Sequence, residues 1–199
     1  MRPNDSLPAS LVALIDYDNA KPSGSEVGRI QVESNLVSIV DRICQLLGEW
    51  QPGIFAEVAC MFYGGWIDEN GRFSQRGNWA LQSLSTTRGI FHGIRVNPSL
   101  KLCPEKISST RLVGTVRRQK GALVQKMVDT MLSLDAIHFA SISDSLIIAS
   151  DDDDILPSAL VASAASRCRV NLVRSRALGE GMNDGAVSSH GVRIDQTGW

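Results

Sequence analysis

The sequence predicts an α/β fold, a three-layer sandwich with helices covering a mainly parallel central sheet. Two short, continuous apolar runs point to it, Leu11-Val12-Ala13-Leu14-Ile15 and Ser145-Leu146-Ile147-Ile148-Ala149. A strand buried on both faces of a parallel sheet reads this way, without the alternation of a half-exposed one. The third observation is order. Apolar runs alternate with stretches of helical periodicity, as in strand–helix–strand units joined by right-handed crossovers.

Residues 11–15 are the first strand. Residues 34–50 form a helix, because Leu36, Ile39, Val40, Ile43 and Leu47 recur at helical spacing and Pro52-Gly53 stops the pattern. Residues 54–63 are the next strand, 64–76 a polar loop with glycines, 78–87 a short helix and 93–96 a short strand. In the stretch 98–116 one strand is expected, at 110–116. Residues 121–134 read as an amphipathic helix with Val124, Met127, Val128 and Met131 on one face. Beyond the second apolar run, residues 155–167 form a helix opened by an acidic turn, and 170–173 a final strand. From Gly179 the chain is polar and rich in glycine and serine. One domain over residues 1–178 is therefore expected, followed by a C-terminal loop or tail over 179–199.

The 199 residues suit a single domain, and 43% hydrophobic content is enough to build its core. Net charge is −1, so no global basic field attracts nucleic acid and any such attraction must be local. The four cysteines, Cys44, Cys60, Cys103 and Cys168, are scattered with no CxxC pair. That spacing offers no zinc site and fits free thiols in a reducing cytoplasm. Asp16 interrupts the first apolar run too early for a signal segment or a membrane span. A cytoplasmic protein without a membrane partner is the expectation.

The chemistry lies where the two buried strands end. Asp16 and Asp18 follow the first, and Asp151 to Asp154 follow the later one. Open parallel sheets place their sites at the carboxyl ends of strands, so both acidic groups can meet at one edge. Clustered carboxylates raise one another's pKa unless a cation compensates. Hard oxygen ligands favour Mg²⁺ or Mn²⁺. Such an ion polarises a phosphoryl oxygen and lowers the pKa of a bound water, making it a nucleophile. A plainer role exists for the aspartate run, as cap and dipole partner of the following helix. One or two acids would satisfy that need; four overshoot it.

Three segments resemble the NYN domain family of the PIN-like nuclease superfamily. Leu14-Ile15-Asp16-Tyr17-Asp18-Asn19 looks like its opening motif, a strand followed by D-x-x-N or D-x-D-N. Ser150-Asp151-Asp152-Asp153-Asp154-Ile155-Leu156-Pro157 looks like its S-G-D-S-D-F-x-P motif. Between them, Lys120-Gly121 with Val128-Asp129 is similar to its K-G-V-D-V-x-L-x-x-D segment. The three come in the family's order and cover the chain from first strand to last helix. The resemblance implies a PIN-like, Rossmann-like fold and metal-dependent cleavage of RNA or DNA. Single-stranded RNA is the favoured substrate, and the expected enzyme is an endoribonuclease. It carries over Asp16, Asn19, Asp129, Asp152 and Asp154 as site residues, with the four aspartates as Mg²⁺ or Mn²⁺ ligands, and leaves a homodimer open. Three departures stand out. Leu123 replaces an aspartate common in the family, Asp151 replaces the glycine, and Ile155 replaces the phenylalanine.

Taken on the residues alone, Asp129 lies at the shoulder of its helix's apolar stripe, where an acid is ordinarily solvated or paired at helical spacing. Asn19 either closes an Asx-turn after the strand or orients a ligand carboxylate or water. Arg117, Arg118 and Lys120 could hold a phosphate backbone, with Arg111 as a further candidate; a solvated loop is the plainer alternative. Trp66, Phe73 and Trp79 flank a glycine-bearing loop and could stack on bases, although aromatics at such spacing are more often core. His92 and His138 have no partners at a telling spacing. Two rival functions share these features. In a haloacid-dehalogenase-like phosphatase, Asp16 would be the nucleophile and Asp18 the acid/base, with Lys120 supplying its lysine; Ala20, where Thr or Val is usual, argues against it. In a non-catalytic PIN-like module that binds nucleic acid or protein, Leu123 would mark a lost ligand.

Overall fold

The structure, a computed structural model, describes residues 10–22, 28–50, 52–53, 56–68, 72–103, 116–119, 122–125 and 127–196, with the backbone alone at 116–119 and 122–125. Seven strands form one sheet: β1 (Leu11–Asp16), β2 (Glu57–Tyr63), β3 (Gly89–Phe91), β4 (Ile94–Lys101), β7 (Ser145–Ala149), β8 (Arg169–Arg174) and β9 (Val192–Gln196). Their order is β3-β4-β2-β1-β7-β8-β9. Every pairing is parallel except β3 with β4. A separate antiparallel hairpin joins β5 (Val116–Gln119) to β6 (Ala122–Gln125). The helices are α1 (Tyr17–Ala20), α2 (Arg29–Trp50), α3 (Gln75–Thr87), α4 (Val128–Ala140), α5 (Leu156–Ala165) and α6 (Asp184–Ser188).

Alternation along β1 divides the core into two halves. Leu11, Ala13 and Ile15 point to one face and pack with Leu36, Ile39 and Ile43 of α2 and Ala80 of α3. Val12 and Leu14 point to the other and pack with Met131, Leu132 and Phe139 of α4, Ala159 of α5 and Val187 of α6. All six residues of β1 and all five of β7 are buried, as their uninterrupted apolar runs require. The result is a helix–sheet–helix layering, the expected α/β sandwich. Trp66 is fully buried, and the partly buried Phe73 and Trp79 pack against the same half of the core, as the plainer reading of these aromatics expects. Burial pushes the thiols of Cys44, Cys60 and Cys168 upward, which suits inert core cysteines. Among the described residues no helix is long and apolar enough to cross a membrane.

Three expectations need correction. The helix expected over 121–134 begins only at Val128, because Ala122–Gln125 pair as β6 and Met127 takes a left-handed φ of 64° that breaks the path into the helix. Short apolar runs are ambiguous between strand and helix. Val124 therefore lies on a strand, and Met127 is exposed. Arg117 and Arg118 of the basic run likewise lie on a strand, β5, instead of in a loop. The strand expected at 110–116 falls outside the described residues except for Val116. The supposed tail from Gly179 contains α6 and β9, and β9 adds a seventh strand beside β8.

From β1 the chain builds outward through β2 and β4 to β3, then returns to the opposite side of β1 with β7, β8 and β9. The order reverses between β1 and β7. The helix after β1 covers one face and the helix after β7 covers the other, so their carboxyl ends mark the crevice position that such sheets usually use for a ligand.

Candidate active site

Asp16, the last residue of β1, lies at this crevice and is 2% exposed. The single turn of α1 brings Asn19 back over it, and Asn19 Nδ2 donates to Asp16 Oδ2 at 2.6 Å. Ser150, just past the end of β7, donates its hydroxyl to the same oxygen at 3.0 Å. Asn19 thus serves the carboxylate in place of closing a turn. Burial raises the Asp16 pKa from 3.8 to about 6; the Asn19 and Ser150 hydrogen bonds oppose the shift, and the negative charges of Asp129 and Asp18 add to it. Asp129 occupies the first turn of α4, so this helix delivers a second carboxylate to the neighbourhood of the first.

The four-aspartate run divides by position. Asp151 and Asp153 turn toward the chain after β8. The Asp151 carboxylate accepts from Ser175 N at 2.7 Å and Arg176 N at 3.2 Å, and from the Ser175 hydroxyl. Asp153 pairs with the buried Arg174 at 2.6 Å and accepts from Gly179 N at 2.8 Å. A Cβ at Gly179 would force the Asp153 carboxylate to shift from this position. Asp152 faces otherwise. Its N–H donates to Ser150 Oγ at 3.1 Å, and its Oδ1 caps the following 3-10 turn by accepting from Asp154 N at 3.0 Å. Ser150 therefore ties Asp16 to the backbone of Asp152.

Asp154 is exposed and lines an apolar groove of about 500 Å³ with Leu156, Leu160 and Met182. No described contact brings its carboxylate to Asp16. Among the described residues no three His, Cys, Asp or Glu side chains are already gathered around one point suited to a metal ion.

No protein-family model and no curated protein matches the chain. Among solved structures, the chain is similar to a crystal structure of a protein of unknown function from Vibrio parahaemolyticus. That likeness has 14% identity and a TM-score of 0.47, and covers 94% of this chain and 93% of the other.

Asp18 lies beside the crevice, two residues beyond Asp16. Its burial pushes the pKa up, but Arg76 at 2.7 Å and Lys21 at 3.2 Å more than offset this and hold it below its ordinary value. Arg76 escapes a reading of the sequence, because it lies 58 positions from Asp18. Two more residues escape it. Ser150 stands in the quoted acidic motif, but only the fold shows its hydroxyl on Asp16. Asp135, buried on α4, accepts from Tyr63 Oη at 2.7 Å and links the helix to the end of β2; an apolar helix bearing one interior acid was the available signal. The side chains of Arg117 and Arg118 lie outside the described ones, as do Arg111 and Lys120 altogether.

Proposed function

We propose that the chain is a metal-dependent nuclease of the PIN-like NYN type, which hydrolyses phosphodiester bonds with single-stranded RNA favoured over DNA. The observation that carries this reading is the buried Asp16 carboxylate, flanked by Asp129 at the crevice between β1 and β7, with its pKa raised toward neutrality. A site that crowds carboxylates in low dielectric favours either a proton or a cation.

The donor set fits Mg²⁺ or Mn²⁺. Mg²⁺ in particular keeps several waters and uses one or two carboxylates plus substrate phosphates, so a closed protein cage is not required. Asp16 and Asp129 would hold the ion, with Asp152 contributing once drawn from its cap. When bound, the ion supplies charge for a phosphoryl oxygen and acidity for a water. The chain's own part is orientation. Asn19 and Ser150 both donate to Oδ2 of Asp16, which fixes the plane of the carboxylate and directs its other oxygen. Ser150 also sets the backbone that carries Asp152.

The phosphatase alternative needs Asp18 as a proton donor, and two cations holding its pKa down unsuit it for that. Incubation with single-stranded RNA, single-stranded DNA and duplexes tests the proposal. Cleavage of a single strand with Mn²⁺ or Mg²⁺, and none with EDTA, is expected. Equal activity in chelator would overturn it, and binding without cleavage would favour the non-catalytic module.

Acidity gives a second test. Because the folded pKa of Asp16 is raised, its folded form binds more protons than the unfolded chain between pH 3.8 and about 6. The stability it contributes is complete below that window and is lost as pH rises through it. A bound cation replaces the missing proton. Mn²⁺ should therefore raise the melting temperature at pH 7.5 and have little effect at pH 4.5, as read by scanning calorimetry. An equal rise at both would exclude Asp16 as the cation's ligand.

A further inference from the structure

We propose that the groove lined by Leu156, Leu160, Met182 and Val187 receives one nucleobase of a single-stranded polynucleotide, with Asp154 selecting bases that carry an amino group over uracil. The proposal deepens the nuclease reading and rests on it for the polymer that brings the base. The groove holds about 500 Å³ and is lined from both α5 and α6. That size is usual for small-ligand clefts, which are mainly apolar with a few polar groups that orient the occupant. Leu156 and Val187 are only 4% and 7% exposed and belong to the same half of the core, so two of the lining residues are fixed in place. Met182, on the chain before α6, is 47% exposed and leaves an apolar rim in solvent.

The polar side chains on the groove decide its occupant, and they are Asp153, Asp154 and Asn183. Asp153 is committed to Arg174 and Gly179 N. Asn183 Oδ1 caps α6 by accepting from Ala186 N at 2.6 Å, which leaves its amide N–H groups to offer. The Asp154 carboxylate accepts no hydrogen bond and forms no ion pair among the described residues. An ionised carboxylate only accepts. Along a polynucleotide the phosphates offer it no donor and repel it, so its partner must be a ribose hydroxyl or the N–H of a base edge. Apolar walls favour the flat base over the hydrated sugar. The amino groups of cytosine, adenine and guanine suit such an acceptor, whereas uracil presents one N–H between two carbonyls that the carboxylate repels. Position agrees with this role. Asp154 is two residues beyond Asp152, whose N–H is held by the Ser150 hydroxyl that binds Asp16. Two residues span at most about 7 Å, so the groove begins beside the place where Asp16 would set the scissile phosphate.

The base preference of one variant tests this. Single-stranded octamers of cytidylate, adenylate and uridylate are titrated in EDTA, so that no cleavage occurs. Wild type should bind the first two about tenfold more tightly than the third. Asp154→Asn, whose amide both donates and accepts, should remove that difference by weakening the first two and tightening the third. Met182→Glu, which sets a charge on the apolar rim, should weaken all three several-fold, and circular dichroism checks that each variant is folded. Equal binding of the three octamers by wild type, or an unchanged preference in a folded Asp154→Asn, overturns the proposal. A loss of Mn²⁺ affinity in Asp154→Asn with the preference kept would make Asp154 a ligand of the cation and overturn it too. If Met182→Glu turns a dimeric wild type into a monomer that binds the octamers as before, a second copy of the chain fills the groove and the proposal fails. If the preferences follow these signs but no cation supports cleavage, the nuclease reading falls while the base site stands.

Discussion

Asp16→Asn is expected to abolish cation-dependent cleavage and at the same time to make the protein more stable in EDTA at pH 7. The two halves have one cause. The carboxylate is 2% exposed, and its pKa is lifted from 3.8 to about 6, burial first and then by Asp129 and Asp18. At about 1.36 kcal/mol per pKa unit, keeping it ionised at neutral pH costs on the order of 3 kcal/mol. An asparagine removes that charge without removing its hydrogen bonds. Asn19 and Ser150 both donate to Oδ2, so one amide oxygen can accept from both. Stability should rise by as much as ~2–3 kcal/mol, seen as a higher urea midpoint at unchanged slope. Activity should fall by about a thousandfold or more, since losing a cation's ligand removes several kcal/mol of transition-state stabilisation. A variant that loses both stability and activity would place Asp16 in the scaffold, and one that cleaves normally would remove it from the chemistry.

How much of this was legible in the sequence depends on the range of the interactions involved. β1 and β7 were readable because burial on both faces leaves a continuous apolar run, and each run ends at an acid. From that, the approach of the two strand ends to one edge of the sheet follows. Asp129 is a site candidate on the family resemblance, and the helix that carries it begins seven residues later than its apolar pattern suggests; the left-handed Met127 leaves no mark in such a pattern. β9 was missed because only Val192 of its residues is fully buried, and an edge strand with charged neighbours resembles a loop. The aspartate run could be recognised as unusual from its residues, and only the family resemblance singled out Asp152 and Asp154 within it. Which of its acids are structural is decided by Arg174, Ser175 and Arg176, more than twenty positions away. Pairings across such distances follow from the topology and have no local signature.

That division leads to the second large effect. Asp153→Ala should destabilise the protein by about 3 kcal/mol, and Asp154→Ala, one residue on, by less than about 0.5 kcal/mol. Arg174 is fully buried at the end of β8 and meets Asp153 at 2.6 Å. Its remaining acceptors are backbone carbonyls, Asp151 O at 2.9 Å and Arg176 O at 3.3 Å, and its Nη1 has no partner. Removing one member of a buried pair leaves the other charge uncompensated, which costs more than the pair itself contributes. The same change takes the acceptor from Gly179 N, loosening the chain that leads toward α6 and β9. Asp154 is exposed, and the only hydrogen bond described at it is its own N–H to Asp152, so truncating its carboxylate strands nothing. Urea unfolding of the two variants decides the matter. Equal losses would mean that the run acts as one patch of charge, and a larger loss at Asp154 would reverse the assignment. Arg174→Met provides the complementary check. It removes the buried cation together with its need for a partner, so it should cost less than Asp153→Ala, since Asp153 keeps 30% of its side chain in solvent.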